Sequence, residues 1–168
     1  MINIFENTSI AGMILKNRII RSATHEGMGE ADGSPMDKLT DLYIKLAKGG
    51  AGAIITGYAG VQKNGRTLRN MRMLDNDKFI DDYKKLNLRV AEYGVPVIAQ
   101  IAHGGGQTTK KVIEEQPLAP SKKRYSLFST LAKELTEDEI EHIIESFVLA
   151  VARSKEAGFS AAELHAGH

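Results

Sequence analysis

The chain has 168 residues, of which 42% are apolar and 26% are charged, a composition typical of a folded globular protein and not of a disordered one. Lysine and arginine total 22 against 21 acidic residues, and this net charge of +1 argues against nucleic-acid binding. Since there is no cysteine, disulfides, thiolate zinc and thiol catalysis are excluded, and a reducing cytoplasm is the expected compartment.

The first third of the chain predicts a hairpin, a strand and a helix. Two short apolar runs around Ala11-Gly12 predict a β-hairpin over residues 8–16. Residues 17–23 form a β-branched run that ends in small polar residues, which indicates a buried strand followed by a loop. A helix follows, with Ser34 as its predicted N-cap and Pro35 in its first turn. Gly49-Gly50 ends it.

The middle third repeats this alternation. Residues 53–56 form a short apolar run between glycines, which predicts a second strand followed by a long polar loop. A helical period begins at Asp77 and stops at Gly94. Residues 95–100 then predict a third strand, with a proline at its entry.

The last third begins with a glycine-rich loop that runs from His103 to about Leu135. Thr136 and Glu139 form a capping box, which predicts that a helix starts there and continues to Gly158. Residues 159–165 predict a fourth strand. The apolar face expected for this helix comprises Ile140, Ile143, Ile144, Phe147, Val148 and Val151.

This alternation of strands and helices indicates an α/β protein with parallel strands. A doubly wound sheet and a barrel both satisfy the pattern. The N-terminal hairpin, the long loops after strands and the polar residues at strand ends favour the barrel. We therefore predict half of a (β/α)8 TIM barrel, with four parallel strands, three helices and a hairpin cap. Residues 1–168 would be the N-terminal part of one domain, truncated after the fourth strand.

Polar residues collect where the predicted strands end, which is the ligand-binding rim in either architecture. The amide of Gln100 offers a donor and an acceptor side by side, as the N–H and C=O of a flat heteroaromatic ring require. An alternative role for Gln100 is a hydrogen bond to a neighbouring loop. The strand-end residues are Ser22, Ala23, Thr24, His25, Thr56, Gly57, Tyr58, Gln100, His103, His165 and His168.

The pair His165 and His168 allows three interpretations. Two imidazoles can donate to one carbonyl oxygen and polarise it, they can ligate a metal, or they can simply bond to backbone. His103, His25 or Glu163 could serve as a third metal ligand, but there is no HExxH helix, and we predict no metal site. The glycine runs at 49–52 and 104–106 lack the context of a phosphate-binding loop.

Five stretches in this order carry a family resemblance. The chain resembles the N-terminal half of the old yellow enzyme family, the FMN-dependent NADH:flavin oxidoreductases and ene-reductases, including the 2,4-dienoyl-CoA reductase branch. This resemblance implies an FMN-binding TIM barrel that passes hydride from NADH or NADPH through the flavin to an activated alkene. The matching stretches are residues 15–23, 32–35, 49–57, 99–105 and 157–168.

The resemblance also assigns roles to residues. Ser22, Ala23 and Thr24 would line the flavin, Gly57 and Tyr58 would approach it through backbone, and Gln100 would bond its pyrimidine edge. His165 and His168 match the pair that binds a substrate carbonyl or a phenolate. His25 stands where many members have a flavin-tuning Cys or Thr. The residues that grip the FMN phosphate, and a Tyr proton donor, are expected beyond residue 168.

Two other functions remain open at this point. The chain could be a non-catalytic half-barrel that dimerises through its open strand edges, or a metal-dependent hydrolase, which is the least favoured. No apolar run reaches the roughly 20 residues of a membrane helix, and no signal peptide is recognisable. We expect a small-molecule substrate, a homo-oligomer, and neither nucleic acid nor membrane as a partner.

Overall fold

A computed structural model of the chain describes residues 3–125, 128 and 130–167. Its strands and helices alternate as the sequence predicts. In chain order the elements are β1 (Thr8–Ile10), β2 (Met13–Leu15), β3 (Ile20–Arg21), α1 (Asp37–Lys48), β4 (Ala53–Ile55), β5 (Ala59–Gly60), β6 (Arg72–Met73), α2 (Ile80–Ala91), β7 (Val97–Ala102), α3 (Lys110–Ile113), β8 (Leu118–Ala119), β9 (Lys133–Glu134), α4 (Glu137–Glu156) and β10 (Ala161–Leu164). Short 3₁₀ turns cover Lys63–Gly65 and Asp77–Phe79.

Four parallel strands form the central sheet in the order β3-β4-β7-β10. The register pairs Ile20 with Ala53, Ile54 with Val97, and Ala161 with Ile98. Each of the long helices α1, α2 and α4 connects one of these strands to the next, as parallel strands require. The strand order therefore equals the chain order, which is the topology of half a (β/α)8 barrel, and β1 and β2 form the separate antiparallel hairpin.

Two apolar clusters lie between the sheet and the helices. One joins α1 and α2 to the strands through Leu39, Tyr43, Ile54 and Leu86. The other joins α2 and α4 to β7 and includes Phe79, Tyr83, Ile101 and Ala150. Because the four strands are parallel, their carboxyl ends lie at the same edge of the sheet, and the residues that follow the strands gather there. In the part of the chain that the structure describes, no helix is long and apolar enough to cross a membrane.

The predicted start of α1 is wrong by two residues. Met36 occupies the N-cap position and makes no side-chain cap hydrogen bond. Ser34 is instead held in a turn, because Asp32 Oδ1 accepts from both its backbone N–H, at 3.0 Å, and its hydroxyl, at 2.7 Å. Such local turns compete with N-capping for serine side chains.

The long loops contain structure that the sequence reading missed. β5 continues along β7 beyond β4, and β6 pairs with β5, so the loop after β4 adds two short parallel strands to the sheet. The loop after β7 includes α3 and the parallel pair β8–β9. Two-residue strands carry too few residues to show an alternating pattern, which explains why they were not predicted.

The predicted apolar face of α4 is only partly the face that packs. The capping box of Thr136 and Glu139 is confirmed. The buried residues of α4 are Ser146, Ala150 and Ser154. Four of the predicted residues, Ile140, Ile144, Val148 and Val151, are instead 40–61% exposed. Small residues face the sheet, and the larger apolar residues form a second stripe that is exposed.

Candidate functional site

The segment after β3 reaches the edge of the sheet with its side chains open to solvent. Ser22 and Thr24 are exposed and Ala23 is half-buried. The Thr24 hydroxyl donates to the Ser22 carbonyl oxygen over 3.3 Å, which stabilises the turn of this segment. These three residues lie beside Gly57, since a Cβ added to Gly57 would collide with the carbonyl oxygen of Thr24.

Three rings from three strand ends are stacked at this edge. The centroids of His25 and Tyr58 are 5.0 Å apart with 21° between the ring planes, and those of Tyr58 and His165 are 6.1 Å apart with 17°. The Tyr58 hydroxyl shares a hydrogen bond of 3.1 Å with the Thr67 hydroxyl. The sequence places these rings more than 30 residues apart, and the parallel sheet brings them together.

Backbone and burial restrain two of the rings. The N–H of His165 donates to the Ile101 carbonyl oxygen at 2.9 Å, which continues the β10–β7 ladder to the end of the strand. Nε2 of His25 is buried and has no hydrogen-bond partner among the described residues. A buried ring nitrogen without a partner is uncommon in folded proteins, so this atom is a candidate contact for a ligand. His168 lies outside the described residues.

Gln100 is 8% exposed and is anchored on both sides. Its backbone N–H donates to Thr56 Oγ1 at 3.2 Å, and its Nε2 donates to Glu163 Oε1 at 2.6 Å. The alternative role considered above, a hydrogen bond to a neighbouring loop, is not what the structure shows, since Glu163 lies in a strand. Because the partner is the adjacent strand β10, this bond also fixes the orientation of the amide at the strand end.

His103 is not available as a metal ligand, because both of its ring nitrogens form hydrogen bonds. Nδ1 accepts from the Gly105 N–H at 3.1 Å, so the proton resides on Nε2, which donates to Asn64 Oδ1 at 2.9 Å. Burial lowers the pKa of His103 to about 4. A neutral ring with both nitrogens occupied holds two loops together. Among the described residues no group of three acidic or histidine side chains could hold a metal ion.

A buried ionic cluster that the sequence analysis missed lies directly beneath the strand ends. The Glu26 carboxylate is 3% exposed and pairs with Arg21 Nη1 and Arg72 Nη2, each at 3.0 Å. Glu26 Oε1 also accepts from the Tyr43 hydroxyl at 2.8 Å and from the Gly57 N–H at 3.1 Å. Burial is the main reason that the pKa of Tyr43 is raised, and this phenol therefore stays protonated. The pKa of Tyr83, also buried, rises to about 12.

The two arginines reach the backbone as well as the carboxylate. Arg72 Nη2 donates to the Gly57 carbonyl oxygen at 2.5 Å, and Arg21 Nη1 donates to the Ile55 carbonyl oxygen at 3.1 Å. The cluster thus joins the segment after β3, the segment after β4, and β6. A signal existed in the sequence, since Arg72 stands between Met71, Met73 and Leu74 in a run that is otherwise apolar.

A cleft with a volume of about 570 Å³ does not coincide with this site. It is lined by segments near residues 31–32, 63–69, 73–79 and 111–114, and by none of the predicted site residues. Two of its lysines, Lys63 and Lys78, are paired with Glu114 and Asp32. The candidate site lies instead at the strand ends, where the stacked rings, the unpartnered His25 Nε2 and the anchored Gln100 amide come together.

Comparison with known proteins identifies the family of the chain. A family described as NADH:flavin oxidoreductase / NADH oxidase matches residues 3–168. The chain belongs to this family. It is 37% identical over 168 residues to an NADH oxidase of Thermoanaerobacter brockii, a match that covers 99% of this chain and 26% of that protein.

Two further comparisons fix the fold and the extent. The chain is 32% identical over 174 residues to an NADPH dehydrogenase of Bacillus subtilis, covering 98% of this chain and 48% of that one. The structure of an old yellow enzyme homologue from Zymomonas mobilis superposes with a TM-score of 0.89 at 23% identity, covering 97% of this chain and 48% of that chain. The predicted half-barrel is thereby confirmed, and the chain spans between a quarter and a half of these relatives.

Proposed function

We propose that this chain is the flavin-ring-binding portion of an FMN-dependent oxidoreductase that uses NADH or NADPH to reduce a small activated alkene or a related acceptor. The observation that carries the proposal is the convergence of neutral polar groups and stacked rings from four strand ends, in a chain of the flavin oxidoreductase family. Consistent with the absence of cysteine, we propose the cytoplasm as its location.

The residues at the strand ends fit a flavin ring. His25 Nε2 is a buried nitrogen that lacks a partner among the described residues. At Gly57 the absence of a side chain lets the backbone lie closely against the Thr24 carbonyl oxygen. The Gln100 amide, held by Glu163, presents fixed polarity to the edge of a planar ring. The Gly57 peptide and the Gln100 amide carry no formal charge, which suits an uncharged heteroaromatic ring better than a phosphate.

Each residue then has a defined task in the proposed reaction. FMN, when bound, supplies the centre that accepts hydride from the reduced nicotinamide and delivers it to the acceptor. Ser22, Ala23, Thr24 and Gly57 would pack along the ring, and Gln100 would bond its pyrimidine edge. His165 would donate an N–H to the substrate carbonyl, which withdraws electron density and prepares the conjugated carbon for hydride. We assign His168 the same task as His165.

Loading and reduction of the chain test this proposal. The chain, incubated with excess FMN and desalted, should retain a visible flavin band that NADH or NADPH bleaches under anaerobic conditions. His165→Ala should weaken the binding of a phenol to the loaded chain at least tenfold, because the N–H donor is lost. The matched control is His142→Ala, an exposed histidine on α4. Equal phenol affinity in both variants would contradict the role of His165.

A second candidate, self-association, has a specific observation in its favour. Ile144 and Val148 on α4 are 51% and 61% exposed, and Leu164 on β10 is 62% exposed. Exposed apolar rows beside an open strand edge favour a protein contact. We propose that the chain forms a homo-oligomer through this face. Light scattering after size exclusion tests it, and a monomer at high micromolar concentration would contradict it.

A further inference from the structure

The buried cluster around Glu26 holds Gly57 from both sides of its backbone. Glu26 Oε1 accepts from the Gly57 N–H at 3.1 Å, and Arg72 Nη2 donates to the Gly57 carbonyl oxygen at 2.5 Å. The same Arg72 nitrogen pairs with Glu26 Oε2 at 3.0 Å. Carboxylate, guanidinium and peptide therefore form one closed ring of hydrogen bonds.

The ring of hydrogen bonds restrains the position of the Gly57 peptide. The side chains of Glu26 and Arg72 are each 3% exposed, so neither can exchange its partner for water. Glu26 Oε1 is further held by Tyr43 and by Arg21. Charge-assisted bonds of this kind are roughly twice as strong as neutral ones, so they restrain the Gly57 peptide although Arg72 Nη1 has no hydrogen-bond partner among the described residues.

The cluster also carries an excess of positive charge. Arg21 and Arg72 contribute two cations against the single carboxylate of Glu26. Arg21 is 18% exposed and completes its bonding on the Ile55 carbonyl oxygen. Removing Glu26 would leave the buried cation of Arg72 and the partly buried cation of Arg21 without their shared carboxylate. Glu26 therefore stabilises the positions of both arginines. The position of Gly57 depends on Glu26, Arg21 and Arg72 together.

We propose that Glu26 and Arg72 are positioning residues that hold the Gly57 peptide at the height where it meets the flavin ring. This inference rests on the proposed function, because it assigns Gly57 to the flavin. Neither residue is required to touch the ring. Their effect passes through the peptide of Gly57, which lies beside the Thr24 carbonyl oxygen.

A double-mutant cycle on the full chain tests the inference. Glu26→Gln removes the charge and keeps the volume, Arg72→Met removes the cation and keeps the stem, and the third variant carries both changes. Affinity for FMN is measured by quenching of flavin fluorescence, and the visible circular dichroism of the bound flavin reports its orientation. Each single variant should bind FMN at least tenfold more weakly, with an altered dichroism spectrum.

We call the hold of Glu26 and Arg72 on the Gly57 peptide a clamp. Non-additive effects of the two substitutions distinguish this clamp from general destabilisation. The double variant should bind no more than twofold more weakly than the worse single variant, because one broken bond already opens the ring. The matched control is Asn87→Ala. Asn87 is equally buried and donates to the Ala157 carbonyl oxygen at 2.8 Å, before the start of β10 and thus at the opposite edge of the sheet. It should lower thermal stability but keep FMN affinity within twofold of wild type.

Each outcome decides between the two claims. If wild type binds FMN and both single variants bind it within twofold of wild type, the clamp is refuted and the proposed function stands. If wild type does not bind FMN, the proposed function fails and the clamp falls with it. Should the variants at Glu26 and Arg72 not fold, Tyr43→Phe offers a milder test. It removes a single bond to Glu26 Oε1, and a loss of two- to fivefold in FMN affinity is expected. An unchanged affinity would refute the clamp.

Discussion

Replacement of Gly57 by alanine is the sharpest perturbation of the strand-end site. An added Cβ would lie 3.0 Å from Glu26 Cδ and closer still to Glu26 Oε2 and the Thr24 carbonyl oxygen. The carboxylate cannot swing away, because Arg21, Arg72 and Tyr43 hold it. The new methyl group must therefore push two backbone segments apart or break the ionic cluster.

The expected cost follows from these two contributions. Overpacking a tight site costs about 1–3 kcal/mol, and weakening a charged hydrogen bond adds about 1.5–3 kcal/mol. We expect a loss of about 3–5 kcal/mol in the free energy of unfolding. With an unfolding entropy of about 0.35 kcal/mol/K for 168 residues, the melting temperature should fall by about 9–14 °C.

Thermal unfolding followed by circular dichroism measures this shift, and Gly94→Ala is the matched control. Gly94 has a φ of +63° and open space around its Cα, so alanine there adds backbone strain without a collision. Strain of that kind costs about 1–2 kcal/mol, or about 3–6 °C. If Gly57→Ala melts no lower than Gly94→Ala, the argument from close contact at Gly57 is refuted.

Three further predictions concern pH, redox potential and association. The depressed pKa of His103, about 4 against 6.5 in the unfolded chain, means that the unfolded chain binds the proton first as pH falls. This contribution to the free energy of unfolding is complete above pH 6.5 and decreases by about 2–3 kcal/mol down to pH 4.5, as urea titrations of wild type and His103→Gln should show. His25→Ala should lower the potential of bound flavin by about 20 mV, which corresponds to a lost hydrogen bond of about 1 kcal/mol. Val148→Lys should shift the oligomer to monomer at unchanged melting temperature.

Each of these three predictions can be contradicted by one result. A parallel pH dependence in wild type and His103→Gln would show that His103 is not the titrating group. An unchanged flavin potential in His25→Ala would remove that residue from the flavin contacts. If Val148→Lys leaves the oligomer intact in light scattering, the exposed stripe of α4 is not the interface.

The elements that the sequence predicted are those whose signal is local. A period of 3.6 residues, a capping box at Thr136 and glycine stops at Gly49 and Gly94 each depend on fewer than 20 neighbouring residues. The half-barrel followed from their order, because parallel strands joined by helices admit few topologies. The strand-end location of His25, Gly57 and His165 followed from that topology.

The parts that were missed depend on partners distant in sequence. Arg72 is a buried cation only because Glu26, 46 positions earlier, reaches it. The stripe of Ile140, Ile144 and Val148 satisfies the helical period as well as the face that packs does, so periodicity could not tell the two faces apart. Serine at position 34 fits an N-cap and a turn equally, and the nearby Asp32 decides for the turn.

The central claim is that this chain holds the flavin ring through neutral strand-end groups. Fluorescence titration of the chain with FMN and with riboflavin, which lacks the phosphate, tests that claim directly. Because Gln100, Gly57 and His25 would contact the ring alone, the account predicts dissociation constants for the two ligands that agree within threefold. An FMN affinity at least tenfold above that for riboflavin, or no binding of either ligand, would contradict it.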